Sequence, residues 1–350
     1  MSEIRALTED DLDSVDQLLS AHLPNRAGDR DFLAATALNH PWADPDIPSL
    51  VATVDGSVVG FIAAQVRRIR FNGESLRGVC CSHLVVAPDT GAGAAGALLL
   101  QRLLRGPQAA TWSDSANEPV VRIWRRLGGH LDHSRACDWM LVLRSGGWLG
   151  HVAATALRRG PVGREIVPVP ALPMHLIAQR PGARDRAAAD PDVRGEDVGA
   201  TEIAAHLPEI TRHLHMHVDH DAEYLEQLLN LIRTTAGPLV CRLVRRGDQP
   251  IGWYAYLSGH ERVGRVLHLS ASDADVDAVF AEMIQHGAAS GVRVLAGRLE
   301  PHLDRPLQRR FAIIGLARQP VLHVRDPELR ATLGTASSLL TQLDSEWFVT

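Results

Sequence analysis

The sequence predicts an α/β protein of the α+β kind, with two domains that each carry a mixed, mostly antiparallel sheet flanked by helices. Three observations predict it. A helix and then an antiparallel hairpin precede the glycine-rich stretch "GAGAAG", an order unlike the strict strand–helix alternation of a parallel sheet. The same succession of helix, hairpin, strand, helix and strand returns from about residue 200. A chain of 350 residues, 45% apolar and 22% charged, is long enough and apolar enough for two cores.

The elements follow in order. In "TEDDLDSVDQLL", Thr8 is a cap candidate ahead of Asp10 and Asp11, and Leu12, Val15, Leu18 and Leu19 recur at helical spacing. In "SLVATVDGSVVGFIAAQVRRIRF", Asp55-Gly56 is a tight-turn signal between two strand-forming runs. Val79 to Ala87 is a third β-rich run, broken by Pro88-Asp89, and Ala94 to Leu104 reads as a helix. "AATWSD" is a short strand, "NEPVVRIWRRLGG" a helix capped by Asn117 with Pro119 in its first turn, and "DWMLVLR" a last strand. A first domain over 1–145 is expected, then a connector over 146–200. The connector has a helix-like stretch from Trp148 to Leu157, too short to span a bilayer, and a proline-rich segment.

The remaining domain, 201–350, opens on a helical region to Ile232. It continues with a hairpin turning at Gly247-Asp248, the strand "GRVLHLSA", the helix "DADVDAVFAEMIQHGAASG", the strand "VRVLAGRLE" and the helix "RPLQRRFAIIG". "LLTQLDSEWFV" reads as a closing strand and its turn. On a helix, His213, His217 and His220 would share a face, joined by Asp219 or Asp221. That spacing resembles a metal site, but a polar helix face or a substrate-cleft wall is the reading adopted, with no metal. Tyr254 and Tyr256, alternating with Trp253 on a strand, are core aromatics or substrate contacts.

Composition removes several classes of function. The net charge of −5 gives no global reason to bind nucleic acid, and no run is apolar enough to cross a membrane. The acidic, mixed N-terminus is unlike a secretory leader, so a cytoplasmic protein is expected. Cys80, Cys81, Cys137 and Cys241 form no C-x-x-C pair and read as reduced, buried residues. All 36 basic side chains are arginine, which excludes a Walker A lysine and a Schiff-base lysine.

Gly91, Gly93 and Gly96 fit G-x-G-x-x-G, with Asp114 18 residues further on where a ribose-binding acid would stand. The hairpin before the motif and the residues Pro88 to Thr90 between strand and glycine argue against a dinucleotide fold. The order instead resembles the GNAT superfamily of acyl-coenzyme A dependent N-acyltransferases over roughly residues 1–145. Its Leu-x-Val-x-Pro strand stands as Leu84-Val85-Val86-Ala87-Pro88. Its pyrophosphate loop falls on Gly91, Ala92, Gly93, Ala94, Ala95 and Gly96, and its Asn…Tyr…Gly helix on Asn117, Trp124, Gly128 and Gly129. Small residues at a helix N-terminus let backbone N–H groups reach phosphate oxygens.

The resemblance implies acetyl-coenzyme A or another acyl-coenzyme A as acyl donor. Gly91–Gly96 and Asn117 would hold the cofactor, and the backbone of Leu84, Val85 and Val86 its pantetheine arm. The positions implied for catalysis are Cys80 and Ser82, on the face of the strand where relatives carry a base, and Trp124, where they carry an acidic tyrosine. Gly91 and Ala94 depart from the family's Arg or Gln and Gly, and strand alternation is expected to turn His83 to the opposite face. Asp114, His213, His217, Tyr254 and Tyr256 are candidate substrate contacts. The second domain resembles a degenerate copy whose "SASDADVD" would repel phosphate, so no cofactor is expected there. The expected activity is acyl transfer to a small-molecule or peptide amine by direct attack on the thioester. A catalytically silent binding or scaffold protein and a Fem-like, aminoacyl-tRNA dependent transferase are the alternatives.

Overall fold

The computed structural model describes residues 3–23, 30–88, 94–143, 190–259 and 262–348. The chain divides into a first unit, Met1–Leu131 with Gln319–Arg330, and a second, Asp132–Arg318 with Ala331–Phe348.

The first unit contains β1 (Glu3–Ala6), α1 (Leu12–His22), α2 (Arg30–Leu33), β2 (Leu50–Val54), β3 (Ser57–Phe71), β4 (Glu74–Val86), α3 (Ala95–Leu104), β5 (Ala110–Ser113), α4 (Glu118–Arg126) and β6 (His130–Leu131). A π-helical turn, Ala34–Leu38, follows α2. Thr8 caps a 3₁₀ turn, Glu9–Asp11, that leads into α1: its backbone N–H and hydroxyl both donate to Asp11, at 2.9 and 2.7 Å. Arg5 of β1, a strand the sequence reading did not anticipate, clamps the same carboxylate through both terminal nitrogens, at 2.6 and 2.7 Å. The Arg5 guanidinium thereby holds Asp11 down at about 2. Asp55 and Gly56 take positive φ, 50° and 83°, as a tight hairpin turn requires. Asn72 and Gly73 do the same at 48° and 86°, adding a second hairpin between β3 and β4.

The second unit begins with β7 (Cys137–Val142) and β8 (Val193–Asp197), then α5 (Ala200–Ile210), β9 (Met216–Val218) and α6 (Ala222–Thr235). Three long strands follow, β10 (Leu239–Arg246), β11 (Gln249–Ser258) and β12 (Val263–Ala271), then α7 (Val276–Ala289), β13 (Val294–Arg298), α8 (Asp304–Arg309) and β14 (Ile313–Leu316). The chain then contributes β15 (Val321–Val324) and enters α9 (Pro327–Leu333) and β16 (Ser338–Leu339).

The sheet of the first unit runs β1-β2-β3-β4-β5-β15-β6, and that of the second β14-β7-β13-β12-β11-β10-β8. Two strands therefore lie outside the domains expected for them. "DWMLVLR", read as the last strand of the first domain, pairs antiparallel with β13 and β14, and its Trp139 and Leu141 enter the second unit's core. In return β15 pairs with β5 and β6 of the first unit. The chain divides at Leu131, ahead of the expected boundary at 145. The expected helix over "RPLQRRFAIIG" stops at Arg309: Phe311 has φ of 55°, and the β-branched Ile313 and Ile314 continue as β14. The stretch expected as a closing strand forms only β16 and a 3₁₀ turn, Gln342–Asp344. The connector's expected helix, Trp148 to Leu157, and most of its proline-rich run lie outside the described residues.

One face of the first sheet carries Ile62, Ala64, Val66, Val79 and Cys81 beneath Leu99, Leu100 and Leu103 of α3 and Trp124 of α4. The other carries Val51, Phe61, Ala63 and Val85 beneath Leu12, Val15 and Leu19 of α1. In the second sheet, Tyr254, Tyr256 and Leu269 pack under Phe280, Met283 and Ile284 of α7. No described helix is long and apolar enough to cross a membrane.

The Asp11 clamp has a measurable consequence. Because its pKa is lowered from 3.8 to about 2, its stabilisation is complete above 3.8 and is lost as pH falls through about 2. Asp11→Asn is expected to cost about 2 kcal/mol at neutral pH and to flatten the acid limb of stability, measured by urea unfolding between neutral pH and the acid transition.

Candidate acyl-donor site

β4 contains one residue more than β3 can match. The ladder pairs Gly60 with Val86 and Phe61 with Val85, then resumes at Ala63 with Ser82, so Ile62 alone faces His83 and Leu84. This is a β-bulge, and His83 takes the left-handed conformation, φ 55°, that a bulge of this kind usually gives to glycine. Holding a histidine there costs on the order of 1–3 kcal/mol. The extra residue resets the alternation: Ser82 and Val85 both fall on the α1 face, while Leu84 and Val86 pack toward α3.

The bulge overturns one expectation. His83 does not simply point away from Ser82; its Nδ1 lies 2.9 Å from the Ser82 Oγ, with Ser82 2% and His83 5% exposed. Phe32, beside the π-helical turn, meets the imidazole edge-on at 6.5 Å. Below them on the same face come Cys80 and Gln65, cross-strand partners, and then Arg67, whose guanidinium donates to Gln65 Oε1 at 2.9 Å. β3 and β4 thus share a buried polar strip of serine, histidine, cysteine, glutamine and arginine.

Beside that strip the sheet opens. β4 pairs with β5 in parallel only at Gly78, Val79 and Cys80, the last opposite Trp112, yet β4 runs on to Val86. Among the described residues no ladder pair joins 81–86 to β5. The Ala87 N–H donates to Val59 O at 2.8 Å, toward β3. Strand alternation then turns the N–H groups of Leu84 and Val86 to the opposite edge, the one β5 has left.

The N-terminus of α3 stands next to this opening. A Cβ built on Gly96 would come within 3.4 Å of Val86 Cγ2, so the first turn of α3 lies against the end of β4. Ala94 is the N-cap, no acid occupies the first turn, and the first N–H groups of any helix lack intrahelical acceptors. Ala94, Ala95 and Gly96 form that helix end; Gly91, Ala92 and Gly93 lie outside the described residues.

The other candidates fall in several places. Asn117 caps α4, its Oδ1 accepting the Val120 N–H at 3.1 Å. Trp124, matched to the family's tyrosine, is 1% exposed and packs in the core against Val121 and Val321, with Gly129 giving its ring room. Asp114 follows β5 and is buried. Tyr254 and Tyr256 lie under α7 in the second unit's core, stacked at 6.1 Å.

The histidines do not share a helix. α5 ends at Ile210, His213 lies in the following turn, His217 is on β9, and His220 precedes Asp221, which caps α6 by accepting the Tyr224 N–H at 2.8 Å. The pairing of β9 with β16, invisible to local periodicity, breaks the helical reading. Burial lowers the pKa of His213. In "SASDADVD", Asp275 pairs with Arg246 and Asp277 with Arg309 and Arg310.

With this geometry in view, the comparisons define the fold. The chain has the fold of the GCN5-related N-acetyltransferases. It superposes on such a protein from Anabaena variabilis with a TM-score of 0.59 and 12% identity, over 93% of this chain and 73% of the other. Eis1 from Mycobacterium abscessus gives 0.55 and 15%, over 95% and 76%. N-myristoyltransferase of Saccharomyces cerevisiae, solved with bound myristoyl-CoA, gives 0.51 and 10%, over 92% and 79%. No family model and no curated protein sequence matches the chain.

Asn117 offers a check on the site's division of labour. If its side chain serves as the cap, Asn117→Ala costs about 1 kcal/mol in urea unfolding and Asn117→Asp almost nothing.

Proposed function

We propose that the protein is an N-acyltransferase that takes its acyl group from acetyl-coenzyme A or a related acyl-coenzyme A and passes it to an amine by direct attack. One observation carries the reading: the N–H groups of Leu84 and Val86 turn to a strand edge that β5 has left, beside the N-terminus of α3. A bound acyl-coenzyme A would supply an acyl group already activated as a thioester. The residues fit it: an extended amide-bearing arm can pair with β4 as a strand would, and a pyrophosphate can meet the first turn of α3. That the fold neighbours are acyltransferases, one of them with bound myristoyl-CoA, supports the same reading.

This chain's residues then divide the work. With the Leu84 N–H left to pair with the arm, the Val86 N–H would be available to stabilise negative charge on an acyl oxygen, because a fixed backbone dipole needs no reorganisation. Ser82 stands where the family resemblance puts a base, and a serine hydroxyl cannot serve alone at neutral pH. His83, brought to 2.9 Å by the bulge, would supply the missing acceptor: as the amine nitrogen bonds the acyl carbon and the carbon–sulfur bond breaks to release a thiolate, the Ser82 Oγ would take the amine proton and pass its own to Nδ1. Cys80 adjoins the strip as a buried neighbour. A cofactor-binding protein without turnover is the second reading, favoured by the burial of Trp124 where relatives carry an acidic tyrosine.

Calorimetric titration with acetyl-coenzyme A should show one saturable site per chain. A panel of amines should then give coenzyme A release, measured by thiol trapping. His83→Gln is expected to lower kcat on the order of 10²-fold, with acetyl-coenzyme A affinity unchanged. Binding without release, for every amine, would select the second reading; absence of binding would remove both.

A further inference from the structure

A strand at the end of a sheet shows an open row of backbone N–H and C=O groups, and proteins guard such rows against other chains with charge or by keeping the strand short. Three of the sheet ends described above are guarded in this way. β1 carries Glu3 and Arg5, β8 carries Arg194, Glu196 and Asp197, and β6 is only His130–Leu131. β14, the remaining end, is not. From Phe311 to Ala317 the chain reads "FAIIGLA", with no charge and no proline. Among the described residues β7 is its one ladder partner. Of the large apolar side chains exposed there and elsewhere, Phe311 at 63%, Ile314 at 39% and Leu316 at 70% all belong to this stretch, and only Leu98 lies outside it.

The ladder fixes which backbone groups are open. The Ala317 N–H donates to the Ala136 carbonyl at 3.0 Å, and the register goes on to pair Leu316 with Cys137, Gly315 with Asp138 and Ile314 with Trp139. The Cys137 carbonyl is turned the other way, toward β13, where it accepts the Leu299 N–H at 2.8 Å. Alternation therefore directs Ile313 and Gly315 at β7 and leaves the N–H and C=O of Ile314 and Leu316 on the outer edge. The side chains of the same two residues share one face of the strand. On the opposite face, a Cβ built on Gly315 would meet nothing within 4 Å.

Charge and symmetry select the occupant. The charges that flank the stretch are matched inside the unit, Arg310 by Asp277 at 2.9 Å and Arg318 by Asp138 at 2.8 Å. A charged peptide finds no countercharge on this edge, and a second copy meets no like charge. The stretch also complements itself. In an antiparallel pair about a two-fold axis at Gly315, Ile314 of each copy lies opposite Leu316 of the other; the N–H and C=O of both residues are then satisfied, and the apolar side chains meet across the pair. We propose that the outer edge of β14 is a docking surface for a second copy of this chain, paired strand to strand in that register. A strand of 4 residues offers less than the roughly 800 Å² per partner of a standard interface, so the dimer is weak and forms as concentration rises. It shares no residue with the acyl-donor site.

Sedimentation velocity of the full chain over a range of concentrations tests the proposal. A reversible monomer–dimer equilibrium is expected, and Leu316→Lys or Ile314→Lys should weaken it about tenfold or more with the urea midpoint unchanged, because both side chains are exposed. The register has its own test. Ile314→Lys mixed with Leu316→Glu should form a heterodimer tighter than either variant alone, and Ile314→Lys mixed with Ile314→Glu should not. In the unaltered chain, the Ile314 and Leu316 amides should exchange more slowly at high protein concentration than at low. A chain that stays monomeric, a dimer indifferent to both lysine variants, a tighter pairing in the second mixture, or protection independent of concentration, which would put another segment of the same chain on the edge, overturns the proposal.

Discussion

The buried polar strip and the opened edge of β4 depend on the single extra residue in that strand. Without His83 in the left-handed region, Ser82 and Val85 would occupy opposite faces, and the polar strip that includes Cys80 and Gln65 would end where the sheet opens. The bulge also bends and twists its strand. It lies three residues beyond Cys80, the last residue of β4 paired with β5, and so at the start of the opened edge. The strain of a non-glycine residue there is offset by what holds the ring: the Ser82 hydroxyl on one side and the Phe32 edge on the other.

The second unit is organised by buried charge. Arg298 bonds Glu300 at 2.9 Å, and Arg135 bonds Asp132 at 2.7 Å and reaches Glu300 at 3.5 Å. Both arginines also donate to the Leu340 carbonyl, so the segment after β16 is anchored to β13 and to the turn before β7 by charge-assisted bonds. Burial works to raise the Asp132 pKa, but Arg135 and Ser134 outweigh it and hold the carboxyl down. Such pairs add little net stability against an apolar alternative, and losing one partner is costly. Their effect is positional: the anchored segment carries Thr341, which hydrogen-bonds to Asp344 and to His268.

What the sequence made legible was local. Asp55-Gly56 announced its hairpin, the leucine repeat after the glycine cluster announced α3, and Asn117 with Pro119 announced the start of α4. The three motifs were enough to identify the fold that the structural comparisons show. Long-range pairing was not legible. β1, β15 and the transfer of β7 to the other sheet depend on partners tens to hundreds of residues away, and β9 interrupts a run whose histidines look helical in isolation. The bulge was hidden for a related reason. A histidine carries no signal for positive φ, so strict alternation was the natural reading, and it missed the Ser82–His83 pair. Trp124 aligned with a motif position, but a large apolar ring beside Gly129 belongs to the core.

Under the proposed function, an acyl-coenzyme A pairs with the edge of β4 that β5 leaves. Residue-resolved amide hydrogen exchange with and without acetyl-coenzyme A tests it most directly. Strand alternation predicts slowed exchange at Leu84 and Val86 and at the first amides of α3, with Val85 and Ala87, which already face β3, unchanged. Binding that leaves Leu84 and Val86 unprotected, or that slows all four strand amides alike, would contradict the account.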